Sequence, residues 1–126
     1  MTDVSEVFAG LPGLLDANSG LLRAGRRLSV DCVLGPADQP FLVCIRAGRI
    51  AEMSAMPRIM PFWRFGYTAS VKAWIEYWHP EPKPGWHDLL ALTKRGEAQL
   101  VGDLHPFMTH LQYFKDLLAL PRGSIA

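Results

Sequence analysis

The residues able to carry chemistry are few and scattered. His79, His87, His105 and His110 show no i, i+4 pairing and no His-Glu-x-x-His, the arrangements that put two ligands on one helical face, so no metal site is expected. Cys32 and Cys44 lie inside apolar, strand-like runs with no neighbouring base, where a thiol behaves as a small buried hydrophobe rather than a nucleophile. No Gly-x-Ser-x-Gly, dinucleotide fingerprint or phosphate loop occurs. What remains for catalysis is a pocket acid or base, Asp31, Glu52, Asp103 or His110, brought into a useful range by burial. Asp103 reads more simply as a helix cap, and His110, between Phe107 and Phe114, as a hydrogen-bonded histidine in a core or at a pocket rim. No catalytic residue and no cofactor are assigned.

Binding capacity lies elsewhere, in bulk apolar side chains. Trp63, Trp74, Trp78 and Trp86 fall close together beside Met53, Met56 and Met60, which suits core packing, a lipid pocket or a partner surface. Downstream, Phe107, Leu111, Phe114 and Leu118 recur at helical spacing, and Leu104, Met108, Leu117 and Leu120 widen the stripe beyond what a surface helix needs. This long closing helix, begun by Pro106 after the Gly102 corner, must be covered by protein or by ligand.

The elements that position these residues follow from hydrophobic period and turn signals. Residues 3 to 26 mix leucines with glycines and Pro12, predicting one or two short helices with Leu14, Leu15, Leu21 and Leu22 inward. Leu28, Val30, Cys32 and Leu34 alternate with polar residues up to Gly35-Pro36, a half-buried strand. The run from Phe41 to Ile45 suits a strand covered on both faces, and Arg46 to Arg49 a tight hairpin into a third strand from Ile50 to Ser54. Residues 53 to 61 read as a methionine-rich loop, and Phe62 to Thr68 as a fourth strand with Trp63, Phe65 and Tyr67 on one face. Ser70 caps a helix whose inward stripe is Val71, Trp74, Ile75 and Trp78. The alternate prolines of His79 to Gly85 predict an extended exposed arm, Trp86 to Arg95 a short helix begun near Asp88 and stopped by Gly96, and Ala98 to Val101 a fifth strand. The tail from Pro121 is expected to fray.

Composition narrows the class. The 126 residues, 49% hydrophobic and 20% charged, suit a single domain over residues 1–126 with one core. A net charge of +1, with arginines interspersed among Asp31, Asp38 and Glu52, gives no reason to expect nucleic acid. The two cysteines read as free thiols in a reducing compartment, the N-terminus lacks a basic start, and no apolar run approaches the ~20 residues that span a bilayer. A cytoplasmic protein without membrane insertion is expected.

The order of these pieces resembles the sterol-carrier-protein type-two domain. The stretch from Leu89 to Asp103 is similar to that family's short helix, glycine, strand and Gly-Asp turn before an apolar closing helix. Cys44 to Ile50 resembles its glycine hairpin, and Phe65 to Trp78 its fourth strand and following helix, so the resemblance covers about residues 28–120. It implies an α+β fold, a five-stranded, mainly antiparallel sheet covered on one face by helices, with an apolar tunnel between the layers. The expected function is non-enzymatic binding of a lipid, acyl chain or steroid, with Phe107, Met108, Leu111 and Phe114 as the helix side and Trp63, Phe65, Trp74 and Trp78 as the rest of the site. The alternatives are an interaction or homodimerisation module serving a partner enzyme, without a cavity, and a small enzyme acting on a hydrophobic substrate.

Overall fold

The computed structural model describes residues 4–55 and 63–122. Of the methionine loop expected over residues 53–61, residues 53–55 instead continue the third strand and residues 56–61 lie outside the described residues, as does the tail from residue 123. Five strands, β1 (Val30–Pro36), β2 (Phe41–Arg46), β3 (Arg49–Ala55), β4 (Phe65–Ala69) and β5 (Ala98–Gly102), form one sheet in the order β3-β2-β1-β4-β5. The β1 and β4 strands run parallel, and the other three pairings are antiparallel. The helices are α1 (Val4–Ala9), α2 (Leu11–Asp16), α3 (Ser19–Ala24), α4 (Val71–Tyr77), α5 (Leu89–Lys94), α6 (His105–Thr109) and α7 (Leu111–Leu118). This is the α+β architecture expected, with the helices on one face of the sheet.

Side-chain alternation sorts each strand into an inner and an outer row. Directly paired residues share a face, so Cys32, Leu34, Val43, Ile45, Phe65, Tyr67, Ala69 and Ala98 line up as an inner row of buried side chains. Helical side chains close over this row: Phe8 stacks near Phe41, Trp74 meets Tyr67, and Phe107 and Phe114 meet Phe65. The outer row carries Asp31, Leu42, Cys44, Thr68 and Gln99, none of them fully buried. The β2 strand is therefore covered on one face, where its continuous apolar run suggested two.

Local signals account for most element ends. Ala47 (φ 52°) and Gly48 (φ 79°) turn the β2–β3 hairpin. Gly48 is also needed for space, since a Cβ there would press within 2.6 Å of the Gly25 backbone. The Ser70 hydroxyl accepts from Ala73 N–H at 3.1 Å and caps α4, while the Asp88 carboxylate accepts from Leu90 N–H at the start of α5. The arm of residues 79–85 forms neither helix nor strand and is largely exposed, with buried Trp78 and Trp86 at its two ends. The Trp86 ring takes the cations of Lys72 at 5.3 Å and Arg95 at 4.5 Å over its face.

Three expectations are corrected by packing. The N-terminal segment forms three helices, whose stripe Val4, Phe8, Leu11 and Leu15 is buried while Leu14 faces out. On α4 the inward residues are Ala73, Trp74, Tyr77 and Trp78, leaving Val71 and Ile75 39% and 38% exposed. The face bearing two indoles and a phenol offers more apolar area, and each of its polar atoms finds a carbonyl. The long closing helix is broken in two at His110 (φ −113°, ψ 33°). In one straight helix Phe107 and Phe114 would sit about 10.5 Å apart along the axis. The break brings their rings to 5.5 Å, both against Phe65.

Candidate functional site

The eight side chains expected to line a pocket fall into five places. Phe65 on β4, Phe107 on α6 and Phe114 on α7 come together, fully buried, with centroid separations of 5.2–5.5 Å, and Tyr67 joins them, stacked on Phe107 at 5.8 Å. Trp74 and Trp78 form a second cluster on α4, stacked at 5.5 Å and met edge-on or tilted by Phe8. Leu111 is half-buried in the first turn of α7 and packs on the core. Met108 points to solvent, 48% exposed, and Trp63 sits on the other side of the sheet.

The place of Trp63 follows from Gly66. A Cβ at Gly66 would point to the outer face and meet Val33, Val101 and, at 3.6 Å, the Trp63 indole. The strand begins at Phe65, so the alternation that would have aligned Trp63 with Phe65 and Tyr67 stops short of it. Its ring covers an outer apolar spot with Val33 and Val101, away from the Phe65 cluster.

The inner aromatic layer is anchored unevenly. Around α4 each polar tip donates to a carbonyl: Trp74 Nε1 to Gly35 at 3.0 Å, Trp78 Nε1 to Leu118 at 2.7 Å and Tyr77 Oη to Lys115 at 3.0 Å. Tyr67 Oη donates to Leu89 at 2.7 Å, and Tyr113 Oη to Gly48 at 2.6 Å. Burial raises all three phenol pKa values, that of Tyr77 to about 12, so these hydroxyls stay neutral donors. The phenyl rings of Phe65, Phe107 and Phe114 have no such tether, and their contact is apolar throughout.

A groove of about 280 Å³ opens to solvent, lined by Ser29, Val30, Asp31, Arg46, Arg64 and Pro106, the last two being the sequence neighbours of Phe65 and Phe107. Asp31 pairs with Arg46 at 2.8 Å, and that guanidinium holds the Asp31 carboxyl below the usual carboxylate range. Arg64 pairs with Asp103 at 3.6 Å across the turn leading into α6. The groove's lining is thus mostly polar, with Val30 and Pro106 as its apolar members. Sequence spacing does not reveal it, because its residues come from four separate segments.

Cys32 is buried, its thiol pushed up by burial, with Sγ at 3.7 Å from the Val43 carbonyl. Cys44, half-buried, is raised by burial and by Asp31, which leaves neither thiol poised as a nucleophile. Among the described residues no three His, Cys, Asp or Glu side chains group as metal ligands, and no described helix is long and apolar enough to cross a membrane.

No family model matches the chain, and no curated protein matches it by sequence. Solved structures do match in shape. A crystal structure of sterol carrier protein 2 superposes with a TM-score of 0.68 at 16% identity, over 94% of each chain. A solution structure from Thermus thermophilus, of a conserved hypothetical protein described as possibly sterol carrier protein, gives 0.63 at 15% identity over 98% of this chain and 92% of that one. The UbiJ-SCP2 ubiquinone synthesis protein gives 0.59 at 15% identity over 94% of each chain. At these coverages the likeness takes in the N-terminal helices as well as the sheet, and the chain has the sterol-carrier-protein type-two fold.

Proposed function

We propose that this protein binds an apolar ligand, a lipid, acyl chain or steroid, without transforming it, between the inner face of the sheet and the α6–α7 cover. The observation that carries this reading is the phenyl cluster of Phe65, Phe107 and Phe114, a fully buried apolar layer without hydrogen-bond tethers between the sheet and α6–α7. Such a layer can part without breaking hydrogen bonds, which suits a ligand with none to offer. The fold shared with sterol carrier protein 2 supports the same reading. The site residues proposed for the inner pocket are Phe65, Phe107, Leu111 and Phe114, with Tyr67 added. Trp74 and Trp78 back them from α4.

A second reading has an observation of its own. Val101, Leu104 and Met108 are large, apolar and exposed near the β5–α6 turn, which suits an interaction or homodimerisation module. Native mass spectrometry of protein purified from cells separates the two, because it reports bound lipid and subunit count together. Protein carrying a lipid-sized adduct that organic extraction removes is the expected result. Ligand-free dimers, with no adduct after incubation with fatty acids and sterols, would support the second reading instead.

A further inference from the structure

We infer that Phe107 holds the place of the ligand, and that α6 is a hinged plug which carries this ring out of the layer to admit an apolar chain. The inference rests on the binding function proposed above. Of the five described residues of α6, Phe107 alone is buried. A helix this short has no stability of its own in water, so its order depends on that one ring. The ring touches Phe65, Tyr67 and Phe114 and, being a hydrocarbon, leaves them without breaking a hydrogen bond.

The two ends of α6 are held differently. Upstream, Gly102 ends β5 with a φ of +92°, so close to the Arg64 carbonyl that a Cβ would collide with it, and the Asp103 N–H donates to that carbonyl at 2.7 Å, which makes this end a fixed pivot. Downstream, His110 leaves helical geometry, and its side chain caps neither α6 nor α7. Side-chain ties at this exposed start are few: the Asp103 carboxylate accepts from His105 N–H at 3.1 Å and pairs with Arg64 at 3.6 Å. Pro106, next to the plug residue in α6, lines the groove, so outward movement of α6 would widen that groove toward the vacated space. That space is walled by Phe65, Tyr67 and Phe114, dry and as wide as a phenyl ring, which fits an alkyl chain or one edge of a flat ring system.

Hydrogen exchange on the ligand-free protein tests the plug directly. The amides of Met108 and His110, bonded to Leu104 and Pro106, should exchange roughly 100-fold faster than those of Phe114 and Trp78, since α6 opens as its own unit. Equal protection at all four would overturn the inference. The ligand's place is tested by titrating cis-parinaric acid, a fluorescent fatty acid. A plug that is closed most of the time weakens apparent affinity by the fraction open, so Phe107→Ala should bind at least about tenfold tighter than the wild type and Phe107→Trp about tenfold weaker. If Phe107→Ala does not fold, Phe107→Leu serves, with tightening of about threefold expected on the same argument. Unchanged affinity across the variants would overturn the inference while leaving the binding function standing. Absence of binding by every form would overturn that function, and with it the assignment of Phe107 to a ligand's place.

Discussion

The two halves of the inner aromatic layer are equally buried and differently held. Around α4, Trp74, Tyr77 and Trp78 each end in a donor bonded to a carbonyl of another element, so loosening any of them strands a buried polar group. Around α6, Phe107 meets Phe65, Tyr67 and Phe114 through ring faces and edges alone, and separating them exposes only hydrocarbon. Burial by itself therefore does not distinguish a fixed core from a yielding one; the hydrogen-bonding capacity of the rings does. Trp74 and Trp78 stand in the tethered half, and Phe65, Phe107 and Phe114 in the half held by ring contacts alone.

The largest effect that tests this comparison is truncation of one ring in each half. Trp78→Ala should cost about 3–5 kcal/mol in denaturant unfolding, through the cavity and the unpaired Leu118 carbonyl together. Phe107→Ala should fall at or below about 3 kcal/mol, because it leaves no buried polar group unpaired. Equal costs would break the distinction between the halves.

A smaller effect should come from Tyr113, whose hydroxyl ties α7 to the β2–β3 turn at Gly48. Tyr113→Phe should cost about 1–3 kcal/mol by leaving that carbonyl unpaired. It should also change the alkaline limb. Burial raises the folded pKa above the unfolded value of about 10, so this contribution is complete below pH ~10 and lost as pH rises through the folded value. The phenylalanine variant should therefore lose stability less steeply above pH ~10, measured by urea melts at stepped pH. An unchanged slope would mean that Tyr113 does not contribute through its neutral hydroxyl.

The smallest effect belongs to the groove rim. Arg46 depresses the Asp31 pKa, so the pair contributes above the unfolded carboxylate value near pH ~4 and is lost as pH falls through the folded value. Both side chains are partly exposed, so Asp31→Asn should cost under about 1 kcal/mol at neutral pH and flatten the acid limb below pH ~4. A larger loss at neutral pH would make the rim part of the scaffold rather than a solvent-facing edge.

What is legible in the chain is what short-range signals encode. The alternation from Val30, the Ala47-Gly48 turn, the Ser70 and Asp88 caps and the Gly96 stop lead to elements close to those observed. With the family resemblance they lead to the fold. The inward face of α4 is not legible, because Val71 and Ile75 are as apolar as residues that do face inward; only the reach of Trp74 to Gly35 and Trp78 to Leu118, about forty residues away in each case, decides its rotation. The break at His110 is hidden for the same reason, since the stripe from Phe107 to Leu118 is satisfied by a straight helix until the sheet's shape is known. The placement of Trp63 depends on where β4 starts and on the bare surface of Gly66. Phe8 is within reach of sequence reasoning: Val4, Phe8, Leu11 and Leu15 recur at helical spacing, but the glycines between them mask the stripe by signalling breakage.

The central claim is that an apolar ligand occupies the layer between the inner sheet face and α6. The most direct measurement is a methyl and aromatic NMR titration with a saturated sixteen-carbon fatty acid, a chain length of about the dimensions such small pockets enclose. The account predicts shifts concentrated at Phe65, Tyr67, Phe107, Leu111 and Phe114, with the Trp63 indole on the opposite face unmoved. Shifts confined to Trp63, Val33 and Val101, or none at all at saturating ligand, would contradict it.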